Sequence, residues 1–185
     1  FTGIIILGCG SSLLASGVEH RISNQRRNDL TDQLSGVLTR RGFWSEAETI
    51  VKQAGKANGR ISLVLCDIDY FKIVNDTYGH AAGDIIISSV GRTFRDLTRD
   101  LDLCGRVGGE EFAIVLRGVG REDATSIAER FRNSIRNRRH SCINENAVTA
   151  SFGVVEVLPG MTLETVYEKA DQALYHAKHN GRDRV

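Results

Sequence analysis

The stretch ISLVLCDID, from Ile61 to Asp69, decides the fold, because an apolar run of this length predicts a strand that is covered on both faces. A second strand-like region follows further along the chain. Its two halves, Leu101–Val107 and Glu111–Leu116, flank the adjacent glycines Gly108 and Gly109. This pattern predicts a hairpin, because both glycines permit the positive backbone angles of a tight turn.

Helical spacing of apolar residues predicts four helices around these strands, and one alternating stretch predicts a further strand. The predicted helices cover about Arg41 to Ala57, Gly83 to Thr98, Ala124 to Ile135 and Leu163 to His179, and the strand covers Val148 to Val154. A segment through Asp76, broken at Gly79, precedes the second helix. The order of helices, strands and hairpin predicts an α+β fold with a mainly antiparallel central sheet flanked by helices.

Length and composition indicate one ordinary domain with an extension. The chain has 185 residues, of which 41% are hydrophobic and 25% are charged, which excludes collagen-like and wholly disordered proteins. Because 24 basic residues face 23 acidic ones, the net charge of +1 argues against a protein that binds nucleic acid through its overall charge. The four cysteines are widely scattered and predict free thiols in a reducing compartment.

The beginning of the chain has a different character. Residues 1–18 carry no charge, and the basic residues Arg21, Arg26 and Arg27 follow them. A membrane-spanning helix needs about 17 to 25 residues, and a basic flank marks its cytoplasmic side. We therefore expect residues 1–18 to end a transmembrane segment, residues 19–31 to form a helical linker, and residues 32–185 to form a cytoplasmic domain anchored at the inner membrane. A signal-like segment or a Gly/Ser-containing packing helix is the alternative interpretation of residues 1–18.

Acidic residues are concentrated where the predicted strands meet turns. Asp67 and Asp69 end the first strand, and Glu110 and Glu111 lie at the hairpin. If the hairpin pairs beside the first strand, Asp67 and Glu110 meet at one end of the sheet. Their oxygens would suit a Mg²⁺ ion shared with substrate phosphates, whereas the alternative is a set of solvated carboxylates at turns.

The string RVGGEEF, Arg106 to Phe112, resembles the signature of the GGDEF family of diguanylate cyclases in its G-G-E-E-F form. Three further segments resemble other motifs of the family: Asp32 to Arg41, Asp67 to Asp84, and Ala170 to Arg182. The first of them departs from the family pattern at Ser35, Val37 and Thr39. The resemblance covers about Asp32 to Val185 and implies a fold like the nucleotide cyclase and polymerase palm, which is related to the ferredoxin-like fold.

The resemblance implies an enzyme that condenses two GTP molecules into cyclic di-GMP and releases two pyrophosphates. It implies a homodimer, because each domain binds one GTP. The alternative within the family is a catalytically silent receptor module that binds GTP or cyclic di-GMP. Another palm-type cyclase or polymerase is a third interpretation.

The resemblance also implies roles for individual residues. Asp67, Glu110 and Glu111 would be catalytic, and Asp67, Glu110 and the carbonyl of Ile68 would hold Mg²⁺ or Mn²⁺; Glu111 would be a further ligand or a proton acceptor. Substrate would be bound by Asn75 and Asp84 at the guanine edge, by Phe71, Lys72, Lys178 and Arg182 at the phosphates, and by His80, Gly108 and Gly109.

A further motif lies just before the hairpin. Arg99 and Asp102 form an R-x-x-D sequence that resembles the inhibitory product site of the family, where cyclic di-GMP binds. Arg130 would join this site from a neighbouring helix. The alternative interpretation of Arg99 and Asp102 is a surface ion pair.

Overall fold

The computed structural model describes residues 30–57 and 59–185. The predicted end of a transmembrane segment and nearly all of the predicted linker lie outside the described residues. Within those residues, no helix combines the length and the apolarity that crossing a membrane requires.

The described chain alternates helices with the strands of one sheet. The strands are β1 Leu38–Thr39, β2 Ile61–Ile68, β3 Leu103–Arg106, β4 Glu111–Arg117 and β5 Ala150–Glu156. The helices are α1 Arg40–Ala57, α2 Phe71–Tyr78, α3 His80–Leu97, α4 Arg121–Arg136 and α5 Leu163–His179, with a 3₁₀ turn at Ser141–Ile143.

The five strands lie in the order β1-β3-β4-β2-β5. The pairs β3–β4, β4–β2 and β2–β5 are antiparallel, and only β1 runs parallel to its neighbour, β3. The predicted α+β fold with a mainly antiparallel sheet is therefore confirmed. Strand β1 was not predicted, because a strand of two residues is too short to show an alternating pattern.

Strand β2 lies between β4 and β5 and is buried along its whole length, as its sequence predicts. One face of the sheet packs on α3 and α4, where the ring of Phe94 lies 5.2 Å from that of Phe112 and 5.1 Å from that of Phe131. The other face packs on α1 and α5 through residues such as Phe43 and Val166. Two helical layers thus fix the position of β2 and of the acidic residues at its end.

The segment after β2 differs from the prediction. Residues Phe71–Tyr78 form a helix of their own, and α3 begins at His80 rather than at Gly83. Gly79 lies between the two helices with a φ of 84°, a backbone angle that L side chains rarely adopt. The glycine therefore separates two helices within a segment that the sequence only marks as interrupted.

Candidate active site

The end of β2 brings the predicted acidic residues together. Asp67 lies directly opposite Glu111 in the pairing of β2 with β4. The backbone N–H of Ile68 donates a hydrogen bond of 3.3 Å to the carbonyl of Glu110. The hairpin therefore pairs beside the first strand, as the sequence analysis required for a shared site.

The turn of the hairpin does not use the backbone angles that its glycines permit. Neither Gly108 nor Gly109 has a positive φ. Arg106 braces the turn instead, because its guanidinium donates to the carbonyl of Gly109 at 2.7 and 3.1 Å. A side chain at Gly108 would overlap the Glu111 carboxylate, whereas a Cβ at Gly109 would have no atom within 4 Å. Gly108 makes room for Glu111, and Gly109 leaves its backbone open to a ligand.

A cavity of about 520 Å³ opens between α2, α3 and the turn. It gathers seven of the predicted site residues: Phe71, Lys72, Asn75, His80, Asp84, Gly109 and Glu110. Asp76, Ile87 and Arg106 complete its lining. The cavity therefore joins the residues that the resemblance gives to guanine with one of the predicted catalytic carboxylates.

Asn75 has an unusual environment in this cavity. Its Oδ1 atom is buried and accepts no hydrogen bond from any residue that the structure describes. A Cβ at Gly83 would overlap this atom, so the glycine makes room for the amide. A buried acceptor without a donor typically costs about 1–3 kcal/mol, which a ligand that donates a hydrogen bond would recover. The Oδ1 atom of Asn75 is therefore available to a ligand that donates a hydrogen bond.

Asp67 is almost fully buried and pairs with a cation from α5. The Nζ atom of Lys178 lies 2.7 Å from its Oδ2 atom. Burial raises the pKa of Asp67, the Lys178 ammonium lowers it, and the negative charges of Glu110 and Glu111 raise it again. The resulting pKa lies above the ordinary value, chiefly because the carboxyl group is buried, and the two neighbouring carboxylates add to the rise.

The donor atoms at the strand end suit a hard divalent cation. The predicted ligands are two carboxylates and the Ile68 carbonyl, all of them oxygen donors of the kind that Mg²⁺ and Mn²⁺ prefer. Among residues 30–57 and 59–185, no cluster of three or more His, Cys, Asp or Glu side chains could hold a metal ion. The predicted set has only two such side chains, so a bound metal would take further ligands from phosphates or water.

The two remaining phosphate-binding candidates do not line the cavity. Lys178 pairs with Asp67, and the guanidinium carbon of Arg182 lies 4.5 Å from the centre of the Tyr70 ring. Both cations come from the end of α5 or the loop that follows it. The structure therefore separates the cavity between α2 and α3, which holds the predicted guanine-binding residues, from a cationic side at the end of α5.

Asp69, the second acid after the apolar run, is a structural residue. Its carboxylate accepts hydrogen bonds of 2.7 Å from the hydroxyls of Thr149 and Ser151, and one of 3.1 Å from the backbone N–H of Asp183. It is buried and its oxygens are fully engaged. The sequence predicted a metal-binding role for Asp67 and gave no role to Asp69.

The R-x-x-D motif forms a compact turn after α3. The carboxylate of Asp102 accepts hydrogen bonds of 3.1 Å from the backbone N–H groups of Arg99 and Arg117. Among the described residues, no ion pair joins the side chains of Arg99 and Asp102, so the surface ion pair is not formed. Arg130 is exposed on α4, and no hydrogen bond in the described part of the chain links it to this turn.

Sequence reasoning missed the role of Arg106 in this site. Its Nη1 atom lies 3.3 Å from the Asp32 carboxylate, which also accepts hydrogen bonds from the backbone and hydroxyl of Ser35. Burial raises the pKa of Asp32, but these bonds and the Arg106 charge outweigh burial and lower it below the ordinary value. Arg106 thus ties the opening motif to the turn. The quoted string contained Arg106, but nothing in the string indicated its partner.

The departures in the opening motif are accommodated locally. Ser35 binds Asp32, and the hydroxyl of Thr39 accepts a hydrogen bond of 3.3 Å from the backbone N–H of Gly42 at the start of α1.

A second cavity, of about 570 Å³, lies between α4, β5 and α5. None of the predicted site residues lines it.

Solved structures similar to this chain include GGDEF domains. The coiled coil and GGDEF domain of DgcB from Caulobacter crescentus, crystallised with cyclic di-GMP, is 31% identical, with a TM-score of 0.88, covering 95% of this chain and 94% of that one. The active GGEEF domain of a diguanylate cyclase from Vibrio cholerae is 34% identical, with a TM-score of 0.75, covering 79% of this chain and 94% of that one. The fold is thus that of the palm-type nucleotide cyclase domains.

The sequence comparisons identify the family. The model described as "Diguanylate cyclase, GGDEF domain" matches residues 29–184. Diguanylate cyclase VdcA of Vibrio cholerae is 37% identical over 95% of this chain and 52% of its own length, and diguanylate cyclase A of Treponema denticola is 38% identical over 73% and 37%. The chain belongs to the GGDEF family. It spans about half the length, or less, of these curated relatives.

Proposed function

We propose that this domain condenses two GTP molecules into cyclic di-GMP and releases two pyrophosphates. Membership in a family whose named relatives are diguanylate cyclases supports the reaction class. The observation that carries the proposal is the unpaired Oδ1 atom of Asn75, which lines the same cavity as Glu110. A guanine nucleotide requires a polar acceptor for its base, such as Asn75, and a carboxylate that can hold a cation for its phosphates, such as Glu110.

The proposed guanine site uses Asn75 and Asp84, which line the cavity from α2 and α3. The carboxylate of Asp84 can accept hydrogen bonds from the ring and exocyclic N–H groups of guanine. The amide of Asn75 can both donate and accept. Adenine lacks this arrangement of donors and acceptors, so it would leave buried polar groups unpaired. The proposed substrate is therefore GTP rather than ATP.

The proposed phosphate site lies at the strand end. Asp67, Glu110 and the Ile68 carbonyl would hold Mg²⁺ or Mn²⁺, which when bound neutralises charge that develops on the phosphates. Lys72, Lys178 and Arg182 would offset the remaining negative charge. Gly109 allows the phosphates to approach the turn, because a Cβ there would face open space.

The proposed reaction joins the 3′ hydroxyl oxygen of one GTP to the α-phosphorus of the other, as the bond to pyrophosphate breaks and the hydroxyl proton is lost. A second such step closes the ring. Glu111 would accept the proton or act as a further ligand. Because each domain binds one GTP, two domains must face each other, and we propose that the protein acts as a homodimer.

Two further proposals concern regulation and location. Arg99, Asp102 and Arg130 would form an inhibitory site for cyclic di-GMP, and a preceding membrane segment would anchor the domain at the inner membrane. The turn that holds Asp102 lies at the opposite end of β4 from Glu110, which supports a product site separate from the catalytic carboxylates. Arg130 is exposed, and its guanidinium can donate hydrogen bonds to an anionic ligand.

The test is to incubate the purified protein with GTP and Mg²⁺ and to identify the product by chromatography and mass spectrometry. We expect cyclic di-GMP and two equivalents of pyrophosphate, with a specific activity that rises with protein concentration as dimers form. A protein that binds GTP or cyclic di-GMP but forms no product would be the silent receptor instead. Fusion to a parallel dimeric coiled coil, in the register that turns the two sites towards each other, should raise activity at low concentration.

A further inference from the structure

The loop after α5 has a backbone that requires external support. Arg182 and Asp183 have φ values of 56° and 48°, and Gly181 before them has a φ of 110°. Left-handed backbone is uncommon for residues other than glycine and persists where surrounding contacts hold it. Tyr70, before α2, is left-handed too, with a φ of 55°. These two short segments lie in contact with each other.

Two adjacent residues of one segment hold two adjacent residues of the other. The Asp69 carboxylate accepts a hydrogen bond of 3.1 Å from the backbone N–H of Asp183. The Tyr70 ring lies under the Arg182 guanidinium, at 4.5 Å from ring centre to guanidinium carbon, with 3.4 Å between Nη1 and the phenol oxygen. We call Asp69, Tyr70, Arg182 and Asp183 the clasp.

Further bonds anchor the clasp on both sides. Hydroxyl groups of Thr149 and Ser151 hold the Asp69 carboxylate from β5 and the preceding loop. On the other side, Arg132 and Arg136 of α4 form ion pairs of 2.9 and 3.1 Å with the carboxylate of Asp183. These contacts fix the backbone at Arg182, and the contact with the Tyr70 ring restricts the position of its guanidinium.

We propose that Asp69 and Tyr70 are positioning residues that hold Arg182 for binding the triphosphate of the substrate. The proposal rests on the proposed function, because it takes GTP as the ligand. Tyr70 is followed directly by Phe71 and Lys72, which line the nucleotide cavity. The clasp thus links Arg182, on the cationic side after α5, to the cavity between α2 and α3, because Tyr70, Phe71 and Lys72 are consecutive residues of one segment.

The first experiment measures binding of a non-hydrolysable GTP analogue and of GMP by calorimetry. We expect Tyr70→Leu to weaken binding of the analogue about two- to fivefold, the range of an exposed cation–π contact, and to leave GMP binding unchanged. The KM for GTP should rise by the same factor while kcat stays within twofold. Tyr70→Phe keeps the ring and should restore most of the affinity.

Tyr175 provides a matched control, because it is as exposed as Tyr70, at 57%, and lies on α5. Tyr175→Leu should bind the analogue like the wild type. In an Arg182→Ala background, Tyr70→Leu should cause no further loss, since the ring then has no guanidinium to hold. Equal affinity of Tyr70→Leu and wild type for the analogue, or an equal loss for GMP, would overturn the positioning role.

A second measurement does not depend on catalysis. In wild type, the ring current of Tyr70 should shift the NMR resonance of the Arg182 Nε–H, and Tyr70→Leu should remove that shift. Asp69→Asn should reduce it with Tyr70 intact, because the bond to Asp183 is weakened. An unchanged resonance in both variants would refute the clasp even if the protein makes cyclic di-GMP. Conversely, a shifted resonance in a protein that binds no GTP would refute the proposed function but support the contact between Tyr70 and Arg182.

Discussion

Asp69 and Asn75 are six residues apart, and their buried polar atoms have opposite environments. The Asp69 carboxylate accepts three hydrogen bonds from its own protein. The Oδ1 atom of Asn75 accepts none from the described residues. A buried group that is fully paired contributes to the fold, whereas a buried group that lacks a partner is arranged for a ligand. The difference predicts a structural role for Asp69, just after β2, and a binding role for Asn75, on α2.

The largest expected effect is the loss of turnover when Glu110, the predicted catalytic carboxylate that lines the cavity, is changed. Glu110→Gln keeps the shape of the side chain and removes its charge, so kcat for GTP should fall about a thousandfold while the protein stays folded. Initial rates and thermal unfolding would measure the two quantities. Glu168→Gln, at an exposed position on α5, is the matched control and should leave kcat unchanged. A similar kcat in both variants would contradict the assignment of Glu110.

The next effect tests the paired side of the comparison. Asp69→Ala leaves the hydroxyls of Thr149 and Ser151 and the N–H of Asp183 without their acceptor, and should lower the free energy of unfolding by about 3 kcal/mol. Denaturant titration would measure it. Thr149→Val removes one donor and should cost about 1 kcal/mol. A loss below about 1 kcal/mol for Asp69→Ala would contradict the structural role of Asp69.

Asn75, whose Oδ1 atom accepts no hydrogen bond from the described residues, should respond to substitution in the opposite way to Asp69. Asn75→Ala removes an oxygen that has no partner to lose, so the free energy of unfolding should change by less than about 1 kcal/mol. The preference for GTP over ATP, measured as a ratio of kcat/KM values, should fall about tenfold. Large destabilisation with unchanged selectivity would show that Asn75 is structural.

Gly83→Ala sharpens this prediction without touching Asn75 itself. The added Cβ would overlap the Asn75 amide and displace it. Selectivity for GTP should then fall as it does in Asn75→Ala, even though the amide is present. Retained selectivity in Gly83→Ala would mean that the position of the amide is not what distinguishes the bases.

The R-x-x-D turn contains both kinds of group. Asp102 is paired with two backbone N–H groups, whereas the Arg99 guanidinium has no partner among the described residues. Arg99→Ala should raise the concentration of cyclic di-GMP needed for half-maximal inhibition at least about fivefold and leave the initial rate unchanged. Inhibition curves of wild type and variant that coincide would leave Arg99 as an ordinary surface residue.

The smallest expected effect concerns Asp32, which Arg106 ties to the hairpin turn. Because its hydrogen bonds lower its pKa below 3.8, Asp32 stabilises the fold at any pH above that value. This contribution should be lost as the pH falls below 3.8 and through the lower pKa of the folded state. The difference in unfolding free energy between wild type and Asp32→Asn should therefore shrink in that range. A difference that stays constant as the pH falls through that range would contradict the pairing.

The sequence predicted the parts of the fold that depend on repeated patterns. Strand β2 and helices α1, α3, α4 and α5 each carry enough apolar residues at regular spacing to be recognised. Strand β1 has two residues, and α2 has one buried residue, Phe71, so neither shows a period. The signature glycines predicted the hairpin but not its angles, because Arg106 rather than a left-handed backbone closes the turn.

The candidate site could be predicted only in part for a related reason. A motif names residue types along the chain, and the structure brings seven of them to one cavity. It cannot show which of two nearby acids is already paired, because Thr149, Ser151 and Asp183 are about 80 to 114 residues from Asp69 in the chain. The predicted roles of individual site residues remain predictions that the variants above would test.

The segment that ends the described chain also affects how the domain associates with others. Strand β5 lies at one edge of the sheet, and an open edge invites pairing with a strand of another molecule. Here the carbonyl of Arg184 accepts the N–H of Phe152 at 2.8 Å, which occupies part of that edge. The opposite edge is β1, which offers only two residues. Among the described residues, one edge of the sheet is thus partly covered and the other is short, which disfavours edge-to-edge pairing with a second molecule.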